Sequence, residues 1–126
     1  MADELTQGAS VQYQKGNSET LAWSKTGKRT TVTGNVLTFM QVVSVGTSEE
    51  VIPLGETTFA GALFFGENLD DTNFISIRLT GTGGANVVRV NPREPFQFRI
   101  GAGANAAPYW IADTAACLVR FGLIPT

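Results

Sequence analysis

The sequence contains no histidine and only one cysteine, Cys117. Without histidine the commonest general base and the commonest metal ligand are missing, so neither a Ser-His-Asp nor a Cys-His arrangement can be assembled. A single cysteine cannot close an intrachain disulfide, and no paired spacing suited to zinc exists. A reducing compartment suits such a chain. Charge is also scarce, at 16% of residues, against about 25% in an ordinary soluble domain. A surface with so few charges hints that part of it is covered by partners. The nine basic residues are scattered, never run beyond Lys28-Arg29, and leave a formal net charge of -2. No direct nucleic-acid partner is therefore expected. No apolar run approaches the roughly 18 residues that cross a bilayer, and no membrane partner is expected. Residues 1–15 lack a basic region followed by an apolar run, so no secretory leader is expected there.

What the chain does have is two-residue alternation. Apolar residues alternate with polar ones, or sit in short runs broken by glycine, proline, asparagine and aspartate. That punctuation favours hairpins over helices. Strands are predicted over residues 9–14, 20–25, 29–33, 36–45, 49–54, 60–65, 74–80, 86–90, 95–100, 109–112 and 116–124. Turns are predicted at Gly16-Asn17, at Lys25-Thr26-Gly27-Lys28 and at Gly34-Asn35. In the second half, Ile75, Ile77 and Leu79 share a face, as do Val88 and Val90, then Phe96, Phe98 and Ile100, then Cys117, Val119, Phe121 and Leu123. Four such stripes make one sheet with a buried side, and a second sheet from the first half would cover it. The expected fold is all-β, a two-layer antiparallel β-sandwich, with a jelly roll or another sandwich left open. Residues 1–8 are polar and read as a flexible N-terminal arm, and residues 9–126 as a single sandwich domain.

Few residues invite chemistry, and no catalytic residue, cofactor or metal site is expected. Cys117 falls at an inward strand position and reads as a buried thiol. The glycine-rich stretches at 81–86 and 101–106 do not open a helix, as a dinucleotide site would require. Glu67, Asp70, Asp71 and Asn73 gather in one loop. They read as turn residues rather than calcium ligands, because their spacing completes no EF-hand.

The candidate functional residues are candidate interface residues. Arg78, Arg89, Arg99 and Arg120 each lie between apolar neighbours, so all four point outward from their strands. They either solubilise a sheet and guard its edges or form a row that meets acidic groups on a neighbour. The strand at 36–45 is apolar on both sides. Leu37, Phe39, Val43 and Val45 fill one face, and Val36, Met40 and Val42 the other. It reads as a central strand covered by a loop, or as a subunit interface. Tyr109 and Trp110 are adjacent, so one packs inward and the other is exposed. Trp110 is counted among the interface candidates, and either Trp110 or Trp23 could stack on a sugar ring.

Three further stretches carry a likeness. They are Asn68-Leu69-Asp70-Asp71-Thr72-Asn73-Phe74, then Glu94-Pro95-Phe96-Gln97-Phe98-Arg99-Ile100, then Ile111-Ala112-Asp113-Thr114-Ala115-Ala116. With them, the chain from about Gly55 onward resembles small β-rich virion proteins of tailed bacteriophages. The resemblance implies a structural protein and no enzyme, above all a capsid decoration (cement) protein. Such proteins are often trimers that clamp the major capsid protein against internal DNA pressure. It implies a homo-oligomer, a trimer first, on the capsid exterior of a virion assembled in the host cytoplasm. Tail and fibre proteins belong to the same broad group. No site residue carries over, because none of the three stretches is a functional motif.

Overall fold

The computed structural model describes residues 4–16, 19–31, 38–53, 61–78, 87–101 and 108–125. Its strands follow the alternation: β1 (Glu4–Lys15), β2 (Glu19–Thr31), β3 (Thr38–Val45), β4 (Glu50–Val51), β5 (Gly61–Asn68), β6 (Ile75–Arg78), β7 (Val87–Val90), β8 (Pro95–Gly101), β9 (Tyr109–Ala112) and β10 (Cys117–Pro125). No helix occurs among the described residues. The chain divides into two units, Met1–Thr33 and Gly34–Thr126.

Among the described residues the larger unit holds two four-stranded sheets, ordered β3-β10-β5-β8 and β4-β9-β6-β7, with every pairing antiparallel. Cys117, Val119, Phe121 and Leu123 of β10 are fully buried, as a two-residue period requires. They share one core with Val45, Phe64 and Phe96 of their own sheet and with Ile75, Ile77, Val90, Trp110 and Ala112 of the other. Aromatic rings join the layers. Trp110 meets Phe121 edge-on at 5.3 Å and lies 6.3 Å from Phe64. The fold is the expected all-β antiparallel sandwich.

The pairings β6–β7, β5–β8, β4–β9 and β3–β10 nest one inside the next. The unit is thus a long antiparallel ribbon folded double at β6–β7. Successive strand pairs of the ribbon fall alternately into the two sheets. This corrects the expected division of labour. The four stripes of the second half do not form one sheet: β8 and β10 lie in one layer, β6 and β7 in the other.

The smaller unit is a single hairpin, β1 against β2. Here three expectations give way. Residues 4–7, read as part of a free arm, pair with residues 28–31. The turn expected at residues 25–28 is instead a β-bulge inside one continuous strand. Gln7 pairs with Lys28 and Ala9 with Lys25, so Thr26 and Gly27 together oppose Gly8. Gly27 takes φ +80, a conformation that suits a bulge as well as a turn. Finally, the break between units falls after Thr33 and not after residue 8. The expected turn at Gly34-Asn35 lies outside the described residues, as do the two glycine-rich stretches except for Gly101.

Candidate interaction surfaces

The hairpin has two unlike faces. On one, Val11 pairs with Trp23 and Tyr13 with Leu21, beside the Ala9–Lys25 pair. On the other, Ser10 pairs with Ser24, Gln12 with Ala22 and Gln14 with Thr20. The polar face hydrogen-bonds within itself. The Thr20 hydroxyl donates to Gln14 Oε1, and Gln14 Nε2 donates to the Gly16 carbonyl at 3.1 Å. The apolar face is open: Val11, Tyr13, Leu21 and Trp23 are 65%, 56%, 54% and 58% exposed. Four large apolar side chains in two directly opposed pairs form a contiguous patch of the kind that marks an interaction site. Among these residues only Trp23 stood out in the sequence. Alternation at residues 9–14 and 20–25 was visible, but it does not say whether an apolar face is covered.

A smaller patch lies on the sandwich, on the outer side of the β3–β10 pair. Val42 opposes Arg120 and Ser44 opposes Leu118. Met40, Val42 and Leu118 are exposed. β3 is therefore an edge strand and not a covered central one. Its register slips opposite Gly122, where Met40 takes φ +53. Gly122 admits the Phe65 ring directly over its backbone, and a Cβ there would collide with that ring. Met40 and Val42 remain surface residues, as an interface requires. Val36 lies outside the described residues.

The other candidates are placed differently. Trp110 is fully buried in the core and Tyr109 half-buried, so Trp110 is removed from the interface and from sugar stacking. Its indole N–H has no acceptor. The four arginines do point outward, but they form no row. Arg99 and Arg120 lie on the β3-β10-β5-β8 sheet and Arg78 and Arg89 on the other, so the two pairs face away from each other. Their contacts lie within the chain. Arg78 pairs with Glu49 at 3.2 Å and Arg120 with Glu67 at 3.5 Å. The Arg89 guanidinium sits 3.7 Å from the Phe74 ring centroid, and its Nε donates to Asn91 Oδ1 at 3.0 Å. Arg99 lies exposed on β8.

Three stretches, 68–74, 94–100 and 111–116, converge at one end of the sandwich. Asn68, fully buried, donates from Nδ2 to the carbonyls of Asn73 (2.9 Å), Val90 (3.4 Å) and Asn91 (3.3 Å), and its Oδ1 accepts from the Asp70 N–H at 3.0 Å. The Asn68 N–H donates to the Glu94 carbonyl, and the Thr114 hydroxyl donates to Asn73 Oδ1 at 2.6 Å. The loop's acids serve the loop. Asp70 Oδ1 accepts from the N–H groups of Asn73 (2.6 Å) and Thr72 (2.8 Å), and Asp71 pairs with Arg93 at 2.5 Å. This is turn chemistry, as the sequence suggested. Among the described residues no group of three or more Cys, Asp or Glu side chains is arranged to hold a metal ion.

Two predictions arise here. The N–H groups of Asn73 and Thr72 hold the Asp70 carboxyl below its usual range. A carboxyl depressed by folding stabilises the native state above its unfolded pKa of about 3.9, and that contribution fades as pH falls through this value towards the folded one. Melting curves of the wild type and Asp70→Asn should therefore differ at pH 7 in favour of the wild type and draw together below about pH 4. Cys117, buried with its thiol facing the Ala115 and Asn73 carbonyls, is pushed up to about 11 by burial, with Asp70 and Asp113 adding to it. At pH 8 a disulfide reagent should leave the folded thiol unmodified and titrate it fully in denaturant.

No protein-family model, no curated protein and no solved structure matches the chain.

Proposed function

We propose that the chain is a structural protein of a tailed-bacteriophage virion, a capsid decoration protein that acts as a homo-oligomer on the major capsid protein. One observation carries the reading. The β1–β2 hairpin presents an uncovered apolar face of Val11, Tyr13, Leu21 and Trp23. A hairpin of two strands with such a face is marginal in water and gains stability only against something else. The partner supplies that cover, while the sandwich acts as a rigid, inert body. Decoration depends on many copies engaging a repeating lattice, so modest contacts per copy suffice.

The topology of the larger unit supports the same reading. Among the described residues eight strands lie in two four-stranded sheets, with a doubled ribbon whose pairs alternate between layers. Such a doubled ribbon supports reading the sandwich as a jelly roll, an architecture common in viral capsid and lectin domains. The work proposed is binding, with no catalytic step and no cofactor. Cryo-electron microscopy of the virion carrying this chain tests the proposal. Density for the sandwich on the outside of the capsid lattice, with the hairpin against a neighbouring subunit, is the expected result. Density on the tail would make the chain a tail component, and absence from the particle would overturn the reading.

A further inference from the structure

We infer that β1 pairs edge to edge with β1 of a second copy, joining two hairpins into one four-stranded intermolecular sheet. An unpaired strand edge templates pairing with another chain unless it is shortened, bulged, charged or interrupted by proline. Each edge of the sandwich carries such a device. β3 is bulged at Met40, and β4 is two residues long and is followed closely by Pro53. β7 has four residues, bears Arg89 and ends beside Asn91-Pro92, and β8 begins at Pro95 and presents Arg99.

The hairpin is guarded on one side only. β2 bears Lys25, Lys28 and Arg29 and is bulged at Thr26-Gly27. β1 is different. From residue 5 to residue 14, Leu-Thr-Gln-Gly-Ala-Ser-Val-Gln-Tyr-Gln, it carries no charge and no proline, and its backbone alternates without a bulge of its own. Among the described residues β1 has no second neighbour. It is the longest unguarded edge in the described chain, on the element that most needs further strands.

The occupant that fits is a second copy of β1. An antiparallel pair of identical strands is self-complementary under a two-fold axis. With the axis perpendicular to the sheet, odd-numbered residues of one copy oppose odd-numbered residues of the other. Val11, Tyr13, Leu21 and Trp23 of both copies then share one face, and Ser10, Gln12, Gln14 and Ser24 share the other. Four strands with one apolar face meet the usual condition for a stable sheet, which two strands do not. The doubled apolar face becomes a single platform for the lattice contact proposed above. The pairing rests on the hairpin being an assembly element, but it requires no capsid. It also makes the oligomer a dimer or a multiple of one, in place of the trimer that the phage likeness implies.

Sedimentation velocity of the purified full-length chain, over a hundredfold range of concentration and without particles, tests this. The wild type should sediment as a dimer that dissociates on dilution. Gln12→Lys places a charge at the middle of β1 on the polar face, away from the apolar side chains. It should weaken the dimer at least tenfold and leave the urea unfolding of the sandwich, followed by the emission of buried Trp110, unchanged. Ala22→Lys, opposite Gln12 but one strand farther from the joint, should change affinity less than threefold. A monomer at all concentrations, a trimer, or a dimer indifferent to Gln12→Lys would overturn the inference. A dimer weakened by Gln12→Lys but absent from the capsid lattice would leave the inference standing and remove the functional reading.

Discussion

Replacing Phe64 with alanine is expected to destabilise the sandwich by about 4 kcal/mol. Phe64 is fully buried at the centre of the aromatic core. Its ring lies 5.0 Å from Phe96, 5.4 Å from Phe98, 5.8 Å from Phe121 and 6.3 Å from Trp110. The first three belong to its own sheet and the last to the facing one. Truncation loses the transfer free energy of a ring and leaves a cavity where the two layers meet. The surrounding rings cannot collapse into that space without leaving their own contacts. Small domains hold about 5–15 kcal/mol in total, so the loss is a large share. Urea unfolding should show it, followed by the blue-shifted emission of Trp110, the fully buried tryptophan, against the exposed Trp23. Phe64→Leu keeps most of the volume and should lose no more than half as much.

Asn68→Leu is expected to cost about 3 kcal/mol, although leucine matches asparagine closely in size. The reason is the number of backbone groups that one side chain serves. Removing the amide takes a hydrogen bond from each of the carbonyls of Asn73, Val90 and Asn91 and the acceptor from the Asp70 N–H, while the Asn91 carbonyl keeps the Glu94 N–H at 3.1 Å. Buried polar groups left unpaired cost about 1–3 kcal/mol each, and those near the surface recover part of this from water. Asn68→Asp should be at least as damaging, because it turns a carboxylate oxygen towards three carbonyls. Thermal unfolding of the three proteins at pH 7 checks the order, with wild type highest. A loss for Asn68→Leu no greater than for a surface substitution would show that the three stretches do not form one network.

Much of the sandwich is legible in the chain because a buried strand announces itself by period. β10 is read correctly from Cys117, Val119, Phe121 and Leu123, and β9 from residues 109–112. Period fixes a residue's face relative to its own strand and nothing further. The outward arginines illustrate the limit. All four were placed on outer faces, yet which sheet holds each strand depends on how the doubled ribbon divides between layers. Trp110 shows the same limit. Adjacency to Tyr109 requires one inward and one outward ring, and only the packing of β9 against Phe64 and Phe121 selects the tryptophan as the inward one. Gly27 reads as a turn in the sequence because a glycine at positive φ between Lys25 and Lys28 serves a turn and a bulge equally. The hairpin's open face was hidden for a plainer reason. Val11, Tyr13, Leu21 and Trp23 show the same pattern as a covered strand, and the one hint of a covered surface was the low charge of the whole chain.

Hydrogen exchange of the chain, free at low concentration and then bound to its particle, is the most direct test of a rigid body carrying an interacting hairpin. Free, the amides around Val11, Tyr13, Leu21 and Trp23 should exchange quickly, and those of β5, β9 and β10 slowly. On binding, strong new protection should appear in β1 and β2 while the sandwich core stays as it was. Protection gained only on the sandwich, with β1 and β2 exchanging as fast as in the free chain, would contradict the assigned role of the hairpin.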